Sequence, residues 1–88
     1  MNNDFIAACL EDYARSLDPA TNLYRIRAYR HAAVMIQRLD AQLTDLLRSG
    51  GRSALAELPG IGEHLAFTIE TLIDTGEVVA WAERRSVA

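Results

Sequence analysis

Apolar side chains recur roughly every three to five positions along the first half of the chain, which is the spacing of one buried face on an α-helix. Residues 4–17 keep this spacing through Phe5, Ile6, Cys9, Leu10, Tyr13 and Leu17. Asp18-Pro19 is expected to end this helix, because proline disfavours helical geometry at the residue before it. A second helix is expected to begin near Asn22, a good N-cap, and to bury Ile26, Tyr29, Ala33 and Ile36.

The second half of the chain predicts further helices with similar apolar spacing. They are a segment that begins at Asp40 or Thr44, a short helix capped by Ser53, and helices over residues 63–75 and 77–85. Gly50-Gly51 is expected to end the first of these, because glycine commonly follows the last helical residue. No segment alternates apolar and polar residues for long enough to predict a strand. The predicted fold class is therefore all-α, a compact bundle of about five to six short helices.

Length and composition narrow the class of protein. The chain has 88 residues, of which 50% are hydrophobic and 24% are charged, as in a globular protein. This length predicts a single domain over residues 1–88 and leaves no room for a large catalytic fold. Cys9 has no partner for an internal disulfide and is expected to be a buried thiol in a reducing compartment. No signal sequence or bilayer-spanning segment is evident, so we expect a cytoplasmic protein.

Positive charge is concentrated in the middle of the chain. The formal net charge is −3, yet residues 22–52 carry six arginines against two aspartates. All nine basic residues are arginine, which excludes chemistry that needs a lysine amine, including Schiff-base formation. The arginines of the second helix predict a surface for an anionic partner. The alternative is a solvated helix face that pairs with acids such as Glu11 and Asp12.

Two glycines bracket one apolar residue in Leu58-Pro59-Gly60-Ile61-Gly62, just before a predicted helix. The start of a helix presents unpaired N–H groups and the positive end of the helix dipole. A glycine turn that lets a phosphate approach these groups forms an anion site. The alternative is a tight turn between two packed helices, which requires the same residues.

Two ordered stretches carry a family resemblance. Residues 22–33 read NLYRIRAYRHAA, and residues 58–62 read LPGIG, followed by Thr75-Gly76. Together they resemble the N-terminal helix-hairpin-helix domain of family X DNA polymerases, the polymerase beta type, over residues 4–77. The resemblance implies a bundle with one helix-hairpin-helix motif that binds gapped or nicked DNA and functions in DNA repair. It implies no polymerase activity, because the nucleotidyl-transfer domains are missing.

Family roles transfer to this sequence residue by residue. The resemblance implies that backbone amides of the hairpin hold a DNA phosphate and that nearby side chains contact a terminal 5′-phosphate and its neighbours. The DNA-binding residues it implies are Gly60, Ile61, Gly62, His64, Tyr24, Arg25, Arg27 and Arg30. Tyr29 also matches the motif but is expected in the core. Carbonyls of Ala56, Leu58 and Ile61 fall where relatives bind a monovalent cation, Na⁺ or K⁺.

Two departures from the family pattern affect the functional interpretation. The lysine that forms a Schiff base in the repair polymerases is replaced by Thr68, so we expect no lyase activity and no enzyme. Residues 57–77 carry five acids and no Lys or Arg. Glu63 lies at the expected anion site, where it either competes with phosphate or satisfies the helix start itself. His31 and His64 are single histidines without the i, i+4 spacing or the cysteine neighbours of a zinc site.

Two functions remain open from the sequence. The leading hypothesis is a non-enzymatic DNA-binding module that contacts phosphate largely without regard to base sequence. The alternative is a protein-interaction or assembly domain with a degenerate DNA surface, supported by the acidic hairpin helix. Trp81 is a candidate contact for such a partner, although the favoured expectation is that it folds onto its own core.

Overall fold

The computed structural model describes residues 1–78, which form four α-helices. They are α1 (Asn3–Ser16), α2 (Pro19–Gln37), α3 (Leu43–Ala56) and α4 (Gly62–Thr75). The all-α class is confirmed, and residues 1–78 contain no strand. The expected number of about five to six helices is wrong for these residues, because α3 continues through a kink at Gly51 where two helices were predicted. Glu77 and Val78 are not helical, and the remainder of the last predicted helix, with Trp81, lies outside the described residues.

The helix starts differ from the sequence expectation at two places. Asp18 caps α2 by accepting a hydrogen bond from the Ala20 N–H at 3.0 Å, and Pro19 is the first helical residue. Asn22 is therefore not the N-cap; it lies at a kink inside α2, with φ −129° and ψ 25°. Ser53 is not a cap either, because it lies within α3 and its hydroxyl donates to the Gly50 carbonyl at 3.3 Å.

The starts of α1 and α3 cap each other. The Asn3 carbonyl Oδ1 accepts from the Leu43 N–H at 2.8 Å, and the Asn3 N–H donates to Gln42 Oε1 at 3.0 Å. The Asn3 amide group also donates to the Ala41 carbonyl at 2.8 Å. Asn3 is only 5% exposed, so these bonds replace water at groups that would otherwise be buried unpaired. They tie the beginning of the chain to the α2–α3 loop.

The core draws on all four helices. Its largest fully buried apolar side chains are Ile6, Leu10, Ile36, Leu43, Leu55, Ile69 and Leu72. Packing is densest between α1 and α2 and between α3 and α4, so the molecule consists of two helix pairs. Phe5 was expected inside but is 52% exposed, because the buried face of α1 is centred on Ala7 and Leu10 instead.

Cys9 is half-buried rather than fully buried, and it packs at the edge of the core. Burial and, to a smaller extent, the Asp12 carboxylate raise the pKa of the Cys9 thiol. A raised pKa lowers the thiolate fraction at neutral pH. This agrees with a structural role for the thiol.

Candidate nucleic-acid interface

A tight turn joins α3 to α4. After Ala56 the chain is held by backbone bonds from the Leu58 N–H to the Leu55 carbonyl and from the Ile61 N–H to the Leu58 carbonyl, both 3.1 Å. Gly60 and Gly62 have φ of +81° and +68°, in the left-handed region that side chains rarely adopt. The two glycines of the predicted hairpin are therefore needed for its backbone path.

The two hairpin glycines have different surroundings. A Cβ atom on Gly60 would lie 2.9 Å from ring atoms of His31, so the turn packs directly against α2 at this point. A Cβ atom on Gly62 would meet nothing within 4 Å. Gly60 thus joins the hairpin to α2, whereas Gly62 leaves open space at the start of α4.

A groove of about 540 Å³ lies between α2 and the hairpin. Its lining includes six of the eight DNA-binding residues expected from the sequence, namely Tyr24, Arg25, Gly60, Ile61, Gly62 and His64. Arg27 and Arg30 are exposed and are not among the lining residues, because they lie on other faces of α2 from Arg25. The fold therefore brings the two sequence motifs together in one surface feature.

Arg25, Arg27 and Arg30 on α2 differ in their partners from three of the other arginines in residues 1–78. Arg15 pairs with Asp12, Arg48 with Asp45 at 3.1 Å, and Arg52 with Glu70 at 3.5 Å. Within residues 1–78, no ion pair involves Arg25, Arg27 or Arg30. The alternative interpretation, in which these arginines pair with acids such as Glu11 and Asp12, is not found there. Their charge remains available to an anionic ligand.

The first N–H groups of α4 also lack a hydrogen-bond acceptor within residues 1–78. No side chain caps this helix, and no acceptor within residues 1–78 meets the N–H groups of Gly62 and Glu63. Glu63 therefore does not satisfy the helix start by hydrogen bonding, which was one of its two expected roles. The groove instead combines two N–H donors and the positive end of a helix dipole with the guanidinium of Arg25.

Two hydroxyl groups form the inner wall of the groove. The Thr68 hydroxyl donates to the His64 carbonyl at 3.0 Å and lies 3.4 Å from the Tyr29 hydroxyl. Thr68 is 1% exposed, and the ring of Tyr29, which is 6% exposed, packs on Tyr13 with centroids 5.2 Å apart. Tyr29 thus belongs to the core, as expected.

One cation near α4 was not expected from the sequence. Arg52 comes from α3, yet its guanidinium lies 5.7 Å from the ring centre of Phe67 and pairs with Glu70. It borders a second, smaller pocket of about 180 Å³ together with Ala56 and Glu63. Arg52 directly follows the kink at Gly51 and its contacts are with a different helix, so the sequence carries no local signal for them.

The expected cation carbonyls belong to the hairpin backbone. The Leu58 carbonyl accepts one hydrogen bond, from Ile61, and keeps a second lone pair. Within residues 1–78, no N–H reaches the carbonyl of Ala56 at the end of α3. Both oxygens therefore keep a lone pair that no N–H within residues 1–78 occupies.

The fold and groove define a small all-α domain with a glycine turn that borders a groove lined by Arg25. The profile of the helix-hairpin-helix domain family matches residues 1–78, and the chain belongs to this family. Domains of this family generally bind nucleic acid. No curated protein matches the chain in sequence. None of the four helices combines the length and hydropathy needed to cross a bilayer.

Proposed function

We propose that this chain is a non-enzymatic DNA-binding module that holds backbone phosphate between α2 and the hairpin. The observation that carries the proposal is the groove shared by Arg25 and the Gly60–Gly62 turn. A phosphate there would accept from the N–H groups of Gly62 and Glu63 and from the guanidinium of Arg25. Charge-assisted bonds of this kind are stronger than neutral ones. These groups contact phosphate rather than base edges, so binding is largely independent of base sequence.

The proposed DNA is gapped or nicked, as the resemblance to the polymerase beta type implies. Tyr24 supports this, because it is 87% exposed and lies in the lining of the groove, where an unpaired base or sugar could contact its ring. Arg27 and Arg30 lie outside the groove and are proposed to meet neighbouring phosphates along the strand. DNA repair in the cytoplasm is the proposed setting.

We propose that the domain lacks lyase activity. Schiff-base formation needs an amine, whereas the family's lysine position is Thr68 and the chain contains no lysine. The Thr68 proton is directed to the His64 carbonyl, so the hydroxyl serves the fold. Borohydride trapping on abasic DNA is expected to give no covalent adduct, and an adduct would contradict this part of the proposal.

A monovalent cation, Na⁺ or K⁺, is proposed at the carbonyls of Ala56, Leu58 and Ile61. The available lone pairs of Ala56 and Leu58 support it. A cation there would add positive charge beside the phosphate. Replacing Na⁺ and K⁺ by a bulky organic cation at equal ionic strength is expected to weaken DNA binding.

Salt-dependent titration of a labelled gapped duplex tests the main proposal. Arg25→Ala is expected to weaken binding about ten-fold and to lower the salt slope by about one, as for the loss of one phosphate contact. Arg48→Ala is the matched control, because it removes the same charge from a residue outside the groove that already pairs with Asp45. It is expected to change affinity less than about two-fold.

Two results would contradict the proposal. One is an absence of binding at low salt; the other is an equal loss of affinity from both arginine variants. Either result would favour a protein-interaction or assembly domain. Light scattering over a concentration series, repeated with Trp81→Ala, then shows whether the chain associates with itself.

A further inference from the structure

The groove holds opposite charges. Arg25 is the arginine in its lining, and Glu63, in the first turn of α4, is the carboxylate there. Glu63 is exposed and, within residues 1–78, has no ion pair. Arg52 borders the smaller pocket beside Glu63, but its guanidinium pairs with Glu70 and lies over Phe67. The negative charge of Glu63 thus stays uncompensated next to the N–H donors of the groove.

Phosphate groups in DNA differ in charge. A phosphodiester within a strand carries one negative charge, whereas a terminal phosphate carries about −1.5 to −2 near neutral pH, because its second pKa is about 6. The guanidinium of Arg25 balances one charge. The additional charge of a terminal phosphate would lie in the groove that Glu63 also lines, and like charges brought together at an interface oppose binding.

From this arrangement, and resting on the DNA-binding function proposed above, we propose that Glu63 makes the groove select an internal phosphodiester over a terminal 5′-phosphate. The carboxylate acts by repulsion, while Arg25 and the hairpin N–H groups supply the attraction. The preferred DNA is therefore a gapped duplex whose downstream strand begins with a 5′-hydroxyl. The first phosphate of that strand is then a diester. Specificity in this form rests on a repulsive element as much as on an attractive one.

The experiment compares two gapped duplexes that differ only in a 5′-hydroxyl or a 5′-phosphate on the downstream strand. Titrations run at low salt and about pH 8, where a terminal phosphate is a dianion and an ordinary histidine is neutral. The unmodified chain is expected to bind the 5′-hydroxyl duplex more tightly. Glu63→Gln is expected to raise the relative affinity for the 5′-phosphate duplex about ten-fold, because the amide keeps the shape without the charge.

Asp74→Asn is the matched control. It removes one negative charge from the same helix at an exposed position outside the groove lining. It is expected to strengthen binding of both duplexes equally and to leave their ratio unchanged. Circular dichroism of each variant checks that the fold is kept.

Each outcome has one meaning. Tighter binding of the 5′-phosphate duplex by the unmodified chain overturns the inference while leaving DNA binding intact. A ratio that Glu63→Gln leaves unchanged, or that Asp74→Asn changes equally, also overturns the role of Glu63. If neither duplex binds, the proposed function itself fails.

Discussion

Two glycine turns lie in the second half of the chain, and they differ in what surrounds them. At the first, Gly51 has φ +70° and ψ −168° inside α3, and a Cβ atom there would meet nothing within 4 Å. At the second, Gly60 packs against His31 and Gly62 opens onto the groove. Both turns need glycine for the backbone, yet only the second meets a neighbouring helix and an arginine without an ion pair.

The comparison shows that a glycine pair is not a site by itself. The kink at Gly51 redirects α3 so that its last turns, which carry Leu55, reach the core and place Arg52 beside α4. The side chains that line the groove beside the hairpin include Arg25 and Tyr24, which both come from α2. Substitutions at the two turns should therefore separate effects on the fold from effects on DNA.

The largest expected effect is at the kink. Gly51→Ala is predicted to lower the free energy of unfolding by about 3 kcal/mol, because positive φ with ψ near 180° is accessible essentially only to glycine. DNA affinity of the folded fraction should be unchanged, since Gly51 is not in the groove lining. Urea unfolding measures the stability, with the exposed Ser49→Ala as control. A Gly51→Ala protein as stable as the control would mean that the kink relaxes at no cost.

The second largest effect is at Gly60. Gly60→Ala is predicted to cost about 2 kcal/mol, from positive φ and from contact of the new methyl group with the His31 ring. Adding His31→Ala should restore the part due to that contact, and the double-mutant cycle measures it. Strictly additive losses in urea unfolding would show that the ring moves aside and that only the backbone conformation matters.

The features that depend on local sequence pattern, namely helices α1 and α4 and the hairpin, were predicted from the sequence. Helices over residues 4–17 and 63–75 agree with α1 and α4 to within one residue at each end, because apolar periodicity and nearby caps coincide there. The hairpin was also predicted, since glycine turns have a short local signal. That the hairpin lies near Tyr24 and Arg25 was predicted from the resemblance carried by two ordered motifs, and neither motif alone predicts it.

The remaining features depend on packing and left no local signal. Asn3 caps α3 from 40 residues away, which no sequence spacing indicates. Asp18-Pro19 was expected only to end α1, whereas Asp18 also caps α2, with Pro19 as its first residue. Arg52 pairs with Glu70 on another helix, which no spacing indicates. Arg15 and Arg48 instead pair with aspartates one helical turn away, and Arg25 has no acid at that spacing.

Gly62→Ala tests whether the hairpin turn binds phosphate. It is predicted to cost about 1 kcal/mol in stability, because its φ of +68° disfavours alanine but no atom obstructs the methyl group. The same methyl group enters the space through which phosphate approaches, so DNA affinity should fall about five-fold. Gly76→Ala is the matched control, with φ +80°, open surroundings and a position at the other end of α4. Equal DNA affinities for the two variants would contradict a phosphate site at Gly62.

The smallest expected effect is at Thr68, which supports the hairpin helix without belonging to either glycine turn. Thr68→Val removes the bond to the His64 carbonyl and the contact with the Tyr29 hydroxyl while keeping the branched shape. The loss should be about 1 kcal/mol or less, because the hydroxyl bonds only to a carbonyl of its own helix and its contact with Tyr29 is long, at 3.4 Å. Urea unfolding measures this loss, and the gapped-duplex titration should give the same affinity as the unmodified chain. If Thr68→Val instead weakened DNA binding as much as Gly62→Ala, the buried hydroxyl would be part of the ligand site, and the groove wall would contribute more than shape.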